Sequence, residues 1–127
     1  MGYLFDKAMA KRGQGRIGRV IQETRAGEVF ECICYAVCQE FNIEKDQLFE
    51  RRRDIFTAEA RQVAMYLTRS MTDLSCMSVA TLFNRRDHTT VMYGVNKIRK
   101  LVDGDPKYAA ALHVLETTIR EALAVAA

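Results

Sequence analysis

Apolar residues recur every three to four positions from Val29 to Leu123, and nowhere do they alternate with polar ones over a strand's length. A 3.6-residue repeat puts such residues on one helix face, whereas a strand needs a period of two. The pattern restricts the chain to an all-α fold of five or six helices. Val29, Ile33, Ala36, Val37 and Phe41 mark the first stripe, from about Glu28, with Asn42 as its stop. A short helical turn follows through Gln47, Leu48 and Phe49, and then a charged loop, residues 50–54. Thr57 is expected to cap the next helix, with Glu59 in its first turn and a stripe of Ala60, Val63, Ala64, Leu67 and Met71. Ser75 caps a short helix carrying Val79, Ala80, Leu82 and Phe83, and Asn84, Arg85 and Arg86 make a tight turn. A longer helix is predicted over 87–102, with Val91, Val95, Ile98 and Val102 inward and Asp103 and Gly104 at its end. Asp105 caps the last helix, Pro106 takes its first position, and Tyr108, Leu112, Leu115, Ile119 and Leu123 form its stripe.

Within 127 residues this amounts to one helical domain over 28–127, preceded by a basic arm or loosely packed helix over 1–27. The arm contains Gly13, Gly15 and Gly18 in a G-x-G-x-x-G spacing. That spacing binds a dinucleotide only between a buried strand and a helix. Ala8, Met9, Ala10, Lys11 and Arg12 make no such strand, so no nucleotide site is expected. Arg12, Arg16 and Arg19 between glycines suit an arm laid in a minor groove. Cys32, Cys34, Cys38 and Cys76 contain no Cys-x-x-Cys pair, and His88 and His113 are the only histidines. The cysteines read as small core hydrophobes, and neither a metal nor another cofactor is expected. No nucleophile–base pair stands out, so no enzyme is expected. Without a signal-like start or an apolar run near the ~18 residues of a membrane span, a cytoplasmic location is expected.

Net charge is +3, but its distribution is uneven: +4 over 1–27, −5 over 28–50, +6 over 51–100 and −2 over 101–127. The long basic stretch is an electrostatic footprint for a polyanion. It coincides with residues 75–102, whose short helix, tight turn and longer helix have helix-turn-helix proportions. Such a unit sets the first turn of its second helix in the major groove of double-stranded DNA. That turn here is Asp87, His88, Thr89 and Thr90, polar groups suited to base edges. Arg85 and Arg86 lie where they meet phosphates, and Thr90, Tyr93, Lys97 and Lys100 share one face of the helix. A protein-interaction module meeting its partner through the acidic 28–50 segment is the alternative reading.

The run Arg86-Asp87-His88-Thr89-Thr90-Val91, followed by Lys97 and Ile98, closely resembles the C-terminal DNA-binding domain of DnaA, the bacterial replication initiator. The resemblance extends from about Cys32 through Leu101 and includes Arg51, Arg52 and Arg53 ahead of the helix holding Arg61 and Gln62. It implies that Arg53 enters the minor groove, that Asp87, His88, Thr89 and Thr90 read the major groove, and that Arg61, Gln62 and Arg69 hold phosphates. The implied target is an asymmetric nonamer like TTATCCACA, a DnaA box. One copy of the domain suffices for a nonamer; residues 1–27 or the last helix are where a second copy would pair.

The chain departs from the family pattern at Asn84 and Arg85, where two glycines are usual. It departs also at Tyr93 for histidine, at Gly94 for alanine, and at Ile55, which lacks the usual basic character. No G-x-x-x-x-G-K-[ST] loop is present, so no ATPase is expected. The resulting expectation is a stand-alone bacterial or phage reader of DnaA-box-like sites, nucleoid-associated, regulating transcription or replication and competing with DnaA.

Overall fold

The computed structural model describes residues 25–51 and 54–126. The described residues form six α-helices and no strand: α1 Arg25–Phe41, α2 Lys45–Phe49, α3 Ile55–Met71, α4 Cys76–Leu82, α5 His88–Gly104 and α6 Pro106–Ala126. The all-α fold expected from the periodicity is the observed one. Helix α3 lies at the centre and packs against α1, α2, α4 and α5, while α6 covers α1 and α5.

The predicted stripes are the core. Val29, Ile33 and Val37 of α1, Ala60, Val63, Ala64 and Leu67 of α3, and Val91, Val95 and Ile98 of α5 are buried. So are Leu112, Leu115, Ile119 and Leu123 of α6, while Ala36, Phe41, Met71, Val102 and Tyr108 of the predicted stripes are only partly buried. Three rings join the front of the molecule. Phe83 lies 5.3 Å from Phe30 and 5.7 Å from Phe49, and Phe30 lies 6.2 Å from Phe49, so the end of α4 rests on α1 and α2. Edge-to-face and offset contacts at these separations are the favoured aromatic geometries.

Two helix ends share one device. Asn42 and Asn84 adopt positive φ, 53° and 57°. After α1 the Ile43 N–H reaches back to the Cys38 carbonyl at 3.1 Å. After α4 the Arg85 N–H donates to Ala80 O at 2.8 Å, and the Asn84 N–H to Thr81 O at 3.1 Å. This is the Schellman closure of a helix, which needs a left-handed residue at its corner. Asparagine accepts that conformation better than other residues with a Cβ, which is why Asn84 sustains a turn where the family usually has glycine.

Several boundaries differ from expectation. Helix α1 begins at Arg25, three residues before the expected start at Glu28. Thr57 does not cap α3; Asp54 does, accepting from the Thr57 N–H at 2.9 Å, and Thr57 is buried inside the first turn. The carboxylate satisfies an orphan N–H and suits the positive helix end, so it starts the helix two residues before Thr57. Helix α5 runs on through Asp103 and Gly104 to a C-cap at Asp105. The Asp105 side chain also accepts from the N–H groups of Lys107 and Tyr108, as expected for the cap of α6.

Candidate nucleic-acid interface

Helices α4 and α5 and their turn form the expected helix-turn-helix. Ser75 caps α4 by accepting from the Ser78 N–H at 3.1 Å. Asp87 caps α5 by accepting from the Thr89 N–H at 2.9 Å. Hydrogen bonding from Thr89, backbone first, holds the exposed Asp87 carboxyl below the usual carboxylate range, with a smaller contribution from His88. His88 Nδ1 stands 3.7 Å from Asp87 Oδ1. Because Val91, Gly94, Val95 and Ile98 turn inward, Asp87, His88, Thr89 and Thr90 are all exposed, together with Tyr93, Lys97 and Lys100 further along. The cap uses only part of the carboxylate's acceptor capacity of two oxygens and about four lone pairs.

The arginines sort into two groups. Arg86 is exposed beside the cap, and Arg69 is exposed at the end of α3, where it donates to the Leu74 carbonyl. Arg61 and Arg85 are instead engaged with the protein. Arg61 is only 8% exposed. Its Nε donates to Leu48 O at 2.9 Å, and its Nη2 to Glu50 O at 2.8 Å and Gln47 O at 3.4 Å. Arg85 donates from Nη2 to Glu50 O at 2.9 Å and from Nη1 to Phe49 O at 3.4 Å. Burial lowers the pKa of both guanidiniums; for Arg85 the nearby charges of Arg61 and Arg51 add to the effect. The phosphate roles predicted for Arg61 and Arg85 therefore meet a competing one, since both fill the carbonyl sites at the end of α2. Arg53 lies outside the described residues, as do Arg12, Arg16 and Arg19 of the arm.

Gln62 packs over Gly94. A Cβ at Gly94 would stand 3.1 Å from Gln62 Cγ and 3.5 Å from Met65 Sδ, so the glycine allows α3 and α5 to approach closely. Gln62 is half-buried, and its Oε1 has no hydrogen-bond partner among the described residues. Cys34 is buried and Cys38 half-buried, with burial pushing the Cys38 thiol up to about 11. Among the described residues no three His, Cys, Asp or Glu side chains converge on one point. No described helix is long and apolar enough to cross a membrane.

The family model of the bacterial DnaA protein helix-turn-helix matches residues 30–98. The chain belongs to this family. The DnaA helix-turn-helix thus includes α1 from Phe30, all of α2, α3 and α4, and α5 as far as Ile98. Its relatives include the chromosomal replication initiator protein DnaA of Brucella abortus, 40% identical over 102 residues, 77% of this chain and 21% of the relative. DnaA of Rhizobium johnstonii is 35% identical over 85 residues, 67% of this chain and 18% of the relative. The chain thus spans about a fifth of the length of the curated relatives it matches. A crystal structure of a DNA replication initiation factor superposes with a TM-score of 0.69 at 23% identity, over 92% of this chain and 36% of the other, and shares its fold.

Proposed function

We propose that this protein binds double-stranded DNA sequence-specifically, at nonamers resembling the DnaA box. The observation that supports this best is the exposed turn Asp87, His88, Thr89 and Thr90, set at the start of a helix whose opposite face is buried. In a helix-turn-helix that turn faces the major groove. There the Asp87 carboxylate accepts from cytosine N4, and a threonine methyl packs on a thymine methyl. Arg53 enters the minor groove. Gln62, Arg69, Arg86 and Lys97 meet phosphates, with Tyr93 on the same face as Lys97. Arg61 supports the interface from within, by holding the backbone that leads from α2 toward Arg53. Arg12, Arg16 and Arg19 add phosphate or minor-groove contacts.

The 127 residues hold no phosphate-binding G-x-x-x-x-G-K-[ST] loop, so they bind DNA without P-loop nucleotide hydrolysis. The protein acts in the cytoplasm on the nucleoid as a transcription or replication regulator, competing with DnaA for shared sites. Competition predicts overlapping occupancy of the two proteins on one genome; non-overlapping site sets would refute it.

Fluorescence anisotropy at about 150 mM salt, with a duplex carrying TTATCCACA and a scramble of equal composition, tests the central claim. Specific binding exceeds non-specific binding by roughly 10³-fold or more, and His88→Ala should abolish most of that ratio. Equal binding of both duplexes would reject the nonamer reading. Binding of neither at low salt would favour a protein partner at the acidic 28–50 segment.

A further inference from the structure

Arg85 stands two residues before the cap of the recognition helix, yet its side chain reaches 35 residues back along the sequence. Its backbone N–H closes α4 on Ala80 O, which anchors it in the turn. Its guanidinium crosses to α2 and donates to Glu50 O at 2.9 Å and Phe49 O at 3.4 Å. The same Glu50 carbonyl accepts from Arg61 of α3 at 2.8 Å. The peptide that leaves α2 is thereby held by guanidiniums from two separate elements, and the next residue, Arg51, opens the basic segment. Beneath the tie, the rings of Phe49 and Phe83 stack with an interplanar angle of 27°.

We infer that Arg85 is a positioning residue for recognition: it ties the start of helix α5 to the backbone leaving α2, so that the readers at 87–90 and the peptide at Glu50 and Arg51 keep one spacing. This rests on the DNA-binding reading of the same site. A domain that reads both grooves needs its two readers at a set separation, and rigid support of contacting residues is what preserves such geometry. The guanidinium fork can serve two carbonyls at once, whereas a lysine ammonium is a point charge on a flexible stem. A phosphate accepts either cation. That difference separates a tie from a phosphate contact.

The test compares the 127-residue chain with its Arg85→Lys and Arg85→Ala variants. Without DNA, amide hydrogen exchange should show residues 49–51 and 84–86 losing protection several-fold in R85K, with α6 unchanged. With DNA, R85K should lower the ratio of nonamer to scramble affinity about tenfold, equivalent to about 1.4 kcal/mol, and leave the salt dependence unchanged. If R85A does not fold, R85K carries both readouts. Wild-type exchange in R85K would overturn the tie. A salt slope that falls by about one in R85A but is kept in R85K, with the affinity ratio intact, would make Arg85 a phosphate contact instead. A wild-type protein without preference for the nonamer would refute the nonamer reading and the recognition role with it, while lost protection in R85K would still uphold the tie itself.

Discussion

Replacing Arg61 by alanine should destabilise the protein by about 2–4 kcal/mol. Two of its hydrogen bonds are short, to Leu48 O at 2.9 Å and Glu50 O at 2.8 Å, and the one to Gln47 O is long at 3.4 Å. A hydrogen bond from a charged group contributes ~1.5–3 kcal/mol, so the two short ones set an upper range of roughly 3–6 kcal/mol. Two effects reduce it. Removing Arg61 relieves its repulsion with Arg85, and water can reach the carbonyl of the exposed Glu50 once the side chain is gone. Leu48 is fully buried, so its carbonyl is the group that suffers most. Against a typical total stability of about 5–15 kcal/mol, the loss is large enough to measure with confidence. Urea unfolding followed by circular dichroism gives it as a shift of midpoint at constant slope. Arg61→Lys should recover less than half, because one ammonium cannot serve two diverging carbonyls. A loss below about 1 kcal/mol in Arg61→Ala, joined to a fall of about one in the salt slope of DNA binding, would refute the reasoning. The guanidinium would then be a phosphate ligand whose contacts to α2 contribute little.

Asn84→Ala should cost roughly 1–2 kcal/mol through left-handed strain at the turn, while Asn84→Gly should match or exceed the wild type; equal thermal melts for all three would contradict the assignment. Gly94→Ala gains about 1 kcal/mol of helix propensity but sets a methyl 3.1 Å from Gln62 Cγ. The net change in urea should stay within about 1 kcal/mol, and the displacement should appear as shifted Gln62 side-chain amide signals in NMR spectra. Asp87 has a lowered folded pKa, so its stabilisation is complete above the unfolded value of about 3.9 and is lost as pH falls through the folded one. Asp87→Asn should flatten that part of the acid melt, and Asp87→Ala should lower Tm at neutral pH. Tyr108 is raised by burial, then by Glu59, to which its hydroxyl donates at 3.2 Å. Its contribution should be whole below the unfolded value of about 10 and disappear as pH rises toward the folded one, a decline that Tyr108→Phe should lack.

Periodicity determined the helices and most of the core by itself, because a residue's side of a helix depends only on neighbours three and four positions away. Caps and stops were legible for the same reason: Ser75, Asp105, Asn42 and Asn84 act within a few residues of themselves. Asp54 was missed because the sequence places it in the charged loop and Thr57 at the cap; that Thr57 turns into the core is what only packing reveals. The family followed from a contiguous run, residues 86–91, and needed no fold. The arginines were different. Arg61, Arg69, Arg85 and Arg86 look alike in sequence, each a cation in the same basic stretch. Their division into exposed cations and guanidiniums bonded to α2 came from contacts spanning 11 to 36 residues. A charged side chain satisfies whatever acceptors the fold brings within about 3 Å, and that proximity is a property of tertiary structure alone.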